Sequence, residues 1–194
     1  MSKARDLANA GTALTTVSAT ELGYLDGVTS AVQTQIDTKA ASSTAATLTG
    51  TQTLTNKTLT GPILTAPEER TTVSAIAATG TINFDAVTQG VLYYTTNASA
   101  NWTLNVRGNS GATLNSILTT GDSITVAFLV AQGSTAFRHT ALTIDGNAQT
   151  VLWSGGTAPA AGNASGVDVY TFTIVKTAGT PTYTVFGAGP IKYA

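Results

Sequence analysis

Acid–base or nucleophilic catalysis would have to be built on His139, since the chain holds one histidine and no cysteine. His139 follows Arg138 inside a run that reads as a strand, and no nucleophile elbow occurs in the sequence, so a Ser-His-Asp arrangement has nothing to assemble around it. The carboxylates Asp85, Asp122, Asp145 and Asp168 are singly placed, each near a glycine or a turn. Two of them could act as a glycosidase pair only if folding brought them within roughly 5 to 9.5 Å, and caps and turns are the plainer use of such residues. Asp145-Gly146-Asn147 offers calcium-like oxygen donors but lacks the further acidic ligands of a calcium loop, and reads better as a hairpin turn. The residues therefore point to a protein that is not an enzyme, with no catalytic group, no metal site and no cofactor.

Sugar recognition has more residues behind it. Tyr93, Tyr94 and Trp102 fall close together, and Trp153 opens a Gly- and Asn-rich loop, 154–166, that contains Asn163. An aromatic face against the C–H surface of a sugar, flanked by Asn, Asp or Ser, holds a glycan weakly per site, and several copies on one tip would add avidity. These five residues are the candidate glycan-binding set. The competing reading is that the aromatics are core. Trp102 alternates with Leu104 and Val106 and so shares a face with two aliphatics, while Tyr93 and Tyr94 must point to opposite faces of their strand.

Charge excludes other partners. Charged residues make up 10% of the 194 positions, nine Lys and Arg against ten Asp and Glu, so no basic face for nucleic acid is expected. The polar surface must be built from Thr, Ser, Asn and Gln, and Thr favours strands. No apolar stretch approaches the roughly 20 residues of a membrane span, so membrane insertion is not expected. The first residues, MSKARDLANAGTAL, lack the apolar run of a signal peptide, which implies synthesis in the cytoplasm.

The elements that would position these residues fall into four segments. Residues 1–17 have no clear period and read as a tail, either disordered or a docking peptide that orders on a partner. Segment 18–46 is helical. Ser18 and Glu21 form a capping box, Asp26-Gly27 stops a first helix, and Thr29-Ser30 with Gln33 starts a second. Leu22, Leu25, Val28, Val32 and Ile36 make an apolar stripe too thin for an isolated helix, so it either packs on its own domain or meets other copies as a short coiled coil. Segment 47–70 is a Thr/Leu-rich β stem in which Leu48, Leu54, Leu59 and Leu64 recur between Thr, Gly and Asn. One copy would bury a single Leu per strand, so three copies turning their leucines onto a common axis would hold it better. From 71 to 194 short β-branched and aromatic runs arrive at regular spacing: TINFDAV, GVLYYTT, NWTLNVR, DSITVAFLVA, FRHTALTID, AQTVLW, VDVYTFTIVK and PTYTVFG. That spacing predicts an all-β sandwich or jelly roll, with a helical turn at 114–118.

The strings ATELGYLDGVTSAVQTQID and GTQTLTNKTLTGPIL resemble repeats in tail fibres and other fibrous appendages of tailed bacteriophages. Over 80–194 the order GTINFD, VLYYTTNASANWTLNVRG, LTTGDSITVAFL, IDG, WSGGTAPAAGN and VDVYTFTIVK is similar to a C-terminal domain of fibre-like structural proteins of phages, particularly those of cyanobacteria. The resemblance implies an intertwined parallel homotrimer: a mainly β chain with a short N-terminal helical coiled coil and β stem, then a sandwich or jelly-roll knob. Leu22, Leu25, Val28, Val32, Ile36, Leu48, Leu54, Leu59 and Leu64 would face the trimer axis, and residues 1–17 would dock on another virion protein. The spaced histidines with which some phage fibres hold axial cations are absent. The expected function is attachment of the virion to a host surface glycan through the knob. The alternative is a purely structural neck, baseplate or capsid decoration fibre that meets no receptor.

Overall fold

A computed structural model of the protein describes Lys3, Ala4, residues 18–24, Val28, Ala31, Val32, Thr34, Ile36 and residues 60–194. The chain divides into two compact units, Met1–Ile63 and Leu64–Ala194. In the first, the capping box forms as its residue types require. The Ser18 N–H and hydroxyl donate to Glu21 Oε2 at 2.7 and 2.8 Å, and the Glu21 N–H donates to Ser18 Oγ at 3.2 Å. These bonds hold the Glu21 carboxyl below the usual carboxylate range and start helix α1, Ala19–Gly23, which contains Leu22. Val32, Thr34 and Ile36 take helical positions where a second helix is expected. Val28 is half-buried, and Val32, Ile36 and Leu64 are exposed. Leu25, Asp26, Gly27, Leu48, Leu54 and Leu59 lie outside the described residues.

The second unit is mainly β. Its strands are β1 (Thr71–Ala77), β2 (Gly80–Asp85), β3 (Val91–Thr96), β4 (Trp102–Arg107), β5 (Ser123–Gln132), β6 (His139–Ile144), β7 (Asn147–Gln149), β8 (Val151–Trp153), β9 (Gly166–Ala178) and β10 (Thr182–Tyr193). They form two mixed sheets, a six-stranded one in the order β1-β3-β5-β9-β10-β8 and a four-stranded one in the order β2-β4-β6-β7. From β1 to β6 the chain changes sheet at every strand. Strands two apart in sequence therefore pair in parallel, β1 with β3 and β3 with β5 in one sheet, β2 with β4 and β4 with β6 in the other. The chain winds round its core, each turn giving one strand to each sheet. A jelly roll is antiparallel, so of the two predicted wirings only the face-to-face sandwich stands. The crossover that a parallel pair demands is supplied here by a strand of the opposite sheet.

Antiparallel pairs follow in both sheets, and the six-stranded one ends on β8, parallel to β10. Asp145 and Gly146, at φ 50° and 82°, make the expected tight turn between β6 and β7. Along β5 lies β9, and along β9 lies β10, with a register shift between Ala188 and Ile191 where Pro190 falls.

Strict alternation puts Ile82 and Phe84, Leu104 and Val106, and Leu142 and Ile144 on the inner face of the four-stranded sheet. They meet Leu92, Tyr94, Val126, Phe128, Tyr170 and Phe172 of the other. Trp102 reaches across, edge-on to Phe128 and Tyr170 at ring-centroid distances of 5.8 and 5.9 Å. The predicted helical turn, α2 (Leu114–Ile117), is held at both ends by distant side chains. Asp145 accepts the Leu114 and Asn115 N–H groups at 2.7 and 3.1 Å, and the buried Lys176 ammonium donates to the Asn115 and Leu118 carbonyls at 3.0 and 2.6 Å.

Candidate functional site

The isolated carboxylates prove to be fasteners. Asp85 pairs with Arg107 at 2.6 Å across β2 and β4. Asp122 accepts both the Thr119 N–H and its hydroxyl at 2.8 Å, which keeps its carboxyl below the usual range. Asp145 caps α2. Asp168, fully buried on the inward side of β9, accepts from Gln132 Nε2 at 3.1 Å and from Asn163 N and Nδ2 at 2.9 and 2.7 Å. A buried carboxylate needs such donors, and here they fasten the loop 157–165 to the sandwich.

His139 opens β6 and is 4% exposed. Trp153, Tyr170 and Phe172 surround it at ring-centroid distances of 5.7, 5.9 and 5.2 Å. Burial lowers its pKa to about 4, so the imidazole is neutral near pH 7. Burial also pushes Tyr170 up to about 12, and its hydroxyl oxygen accepts the His139 backbone N–H at 3.5 Å. The arrangement is a packed aromatic cluster in which His139 Nε2 has no hydrogen-bond partner among the described residues.

Of the five residues assigned to glycan binding, three are engaged elsewhere. Trp102 and Tyr94 are core, since the inward phase of their strands carries them under the opposite sheet; Tyr94 lies edge-on to Phe128 at 5.4 Å. Asn163 has its side-chain amide committed to Asp168. Tyr93 takes the opposite face of β3 from Tyr94, as alternation requires, and stands half-buried on the outer side of the six-stranded sheet.

Trp153 alone of the five lines an open groove. That groove, ≈ 360 Å³, is lined by Leu152, Trp153 and Ser154, by Thr171 and Thr173 of β9, and by Phe186, Gly187 and Ala188 of β10. The parallel pairing of β8 with β10 sets Trp153 opposite Gly187 and Leu152 opposite Phe186. A methyl group at Gly187 would come within 2.6 Å of Val151 and 3.1 Å of the Trp153 ring, so glycine is what lets the indole lie across the strand. Phe172 meets the indole edge-on at 5.7 Å from inside. The register turns the indole to the inner side of the sheet with Gly187 and Phe172, so Trp153 edges the groove from that side, while Phe186 and Leu152 stand exposed on the outer side with the hydroxyls of Thr171 and Thr173. Phe186 was not singled out by sequence; its place beside Trp153 comes from the pairing of β8 with β10, for which a local pattern carries no signal.

Among the described residues no group of three or more His, Asp or Glu is gathered as a metal site, and no helix is long and apolar enough to cross a membrane. Comparison with known proteins finds no family model, no curated protein and no solved structure that matches the chain.

Proposed function

We propose that the protein is a phage virion fibre that attaches the particle to a glycan on the host cell surface, held in the groove beside Trp153 and Phe186. The observation that carries this reading is the groove itself. The exposed Phe186 ring and the Leu152 side chain supply apolar faces, Trp153 edges the groove, and Ser154, Thr171 and Thr173 supply short hydroxyl donors and acceptors without charge. Such a lining suits a neutral sugar, whose ring has one apolar face and a hydroxyl rim. The stem words in residues 18–64 support the fibre half of the reading. In it the chain is a homotrimer with a short coiled coil, Leu22, Val32, Ile36 and Leu64 turn to the axis, and residues 1–17 dock on another virion protein.

Adsorption competition tests this directly. Host cells preincubated with saturating full chain should lose most phage adsorption, and Phe186→Ala, at an exposed position, should weaken that competition at least tenfold. Unchanged adsorption at saturating protein would favour the purely structural appendage instead.

A further inference from the structure

A second, smaller cleft opens on the inner side of Trp153, between β6 and β7 of one sheet and β8 of the other. Its volume, ≈ 170 Å³, is below that of a drug-sized site and suits a single small ring. Alternation along β8 turns Val151 and Trp153 to this cleft, and Arg138, His139, Gln149 and Pro159 are among its other walls. The indole is set from behind, since His139 and Phe172 each meet it edge-on at 5.7 Å. Charge distinguishes the cleft from the groove. Among the described residues that line it, Arg138 is the charged one, because His139 is neutral near pH 7 and no Asp or Glu takes part. Arg138 is anchored by its backbone N–H, which donates to Asn101 Oδ1 at 2.9 Å, and by Nη1, which donates to the His139 carbonyl at 3.2 Å. The rest of the guanidinium fork is unused: among the described residues the ion pair is that of Arg107 with Asp85, and Asp168 has its oxygens committed to Gln132 and Asn163.

We infer that this cleft is a subsite for an acidic sugar, whose carboxylate Arg138 holds. The inference rests on the glycan reading above and narrows its ligand to a saccharide that carries a uronic acid or a like carboxylate. A guanidinium offers a carboxylate two parallel N–H groups, a match that the hydroxyls of a neutral sugar do not reproduce. The rest of the lining suits a sugar ring. Trp153 and Pro159 supply apolar surface, and Gln149, whose Nε2 donates to the Asn147 carbonyl at 3.0 Å, keeps its Oε1 as an acceptor for a hydroxyl. Strand β8 stands at the edge of its sheet with the groove on one side and the cleft on the other. A saccharide bent round that edge can set a neutral unit in the uncharged groove and its acidic unit here.

The chain holds two tryptophans and Trp102 is buried in the core, so the indole N–H signals of the full chain in a proton–nitrogen correlation spectrum read Trp153 against an internal control. Titration with D-glucuronate or D-galacturonate should move the Trp153 signal and leave that of Trp102 in place. D-glucose and D-galactose should need roughly tenfold higher concentration for the same movement. Arg138→Gln, at a half-buried side chain, should erase that preference, and Arg138→Lys should recover part of it. Equal response to acidic and neutral sugars, a preference unmoved by Arg138→Gln, or a Trp153 signal that neither uronate moves would overturn the inference. Adsorption competition separates it from the reading it rests on. If the full chain blocks adsorption while uronates move nothing, the subsite falls and the groove remains; if uronates bind through Arg138 while saturating chain leaves adsorption unchanged, host attachment falls and the sugar-carboxylate site remains.

Discussion

The two outer faces of the sandwich are made by the same alternation and end in opposite states. On the four-stranded sheet the outward residues satisfy one another. Asn105 donates to Asn83 at 2.8 Å and accepts from the Thr143 hydroxyl at 2.8 Å and the Gly146 N–H at 2.9 Å, and Asp85 pairs with Arg107 in the next row. On the six-stranded sheet the outward residues are Val, Leu, Ile, Tyr and Thr, several of them in open solvent. The first face is finished when the chain folds, because its polar groups are paired within the protomer or wet. The second lowers its free energy only when something apolar covers it. A sheet face therefore reports its role through whether its side chains are satisfied within one chain.

If that distinction is right, neither face should stabilise a lone chain as much as the core they share. Trp102→Ala empties a fully buried site between the sheets and should cost ~3–5 kcal/mol in denaturant unfolding, abolishing folding if the chain has little reserve. A cost near that of a surface change would mean the sheets do not meet as described.

Acid should act next. Burial holds the folded pKa of His139 at about 4, below the ordinary histidine value of 6.5. The unfolded chain therefore binds this proton first, and the contribution is complete above pH 6.5 and lost as pH falls towards 4. That loss should approach roughly 3 kcal/mol. His139→Phe should flatten the slope of stability against pH across that window, leaving the carboxylate losses of Glu21 and Asp122 at lower pH. A slope identical to wild type would remove the buried neutral imidazole from the account.

Smaller effects separate the faces themselves. Asn105→Ala deletes the hub of the polar ladder and should cost about 1–2 kcal/mol at any protein concentration. Val73→Glu with Ile191→Glu, at exposed positions of the six-stranded sheet, should change the stability of the chain by no more than ~0.5 kcal/mol. A large cost would show that these outward residues of the six-stranded sheet are needed within one protomer and would dissolve the contrast.

Much of the fold was legible in local pattern. The capping box at Ser18 and Glu21, the helical turn at 114–118, the Asp145-Gly146 hairpin and the inward phase of Trp102, Leu104 and Val106 each depend on residues within one or two turns of the chain. Strand β1 was missed as an element. TTVSAIA has exposed positions on both sides and little alternation, and it becomes a strand because β3 offers it a parallel edge. The candidate site was less legible. Trp153 could be named as an aromatic beside a Gly-rich loop, but Phe186, Thr171 and Thr173 join it through pairing with distant strands. Asp168 and Lys176 stand on the inward phase of VDVYTFTIVK without a local cue to the amides and carbonyls that satisfy them.

By itself, then, the sequence determined that 71–194 would be short strands with one buried face, because side-chain alternation and turn chemistry are encoded by neighbours along the chain. It also determined that charge would play little part on its surface. Tertiary structure alone decided that successive strands would change sheet and pair in parallel. It likewise decided which aromatic would be core and which would wall a groove, and which outward face would stay apolar. Those outcomes depend on partners tens of residues away, and period-two alternation says which way a side chain points without saying what it will meet.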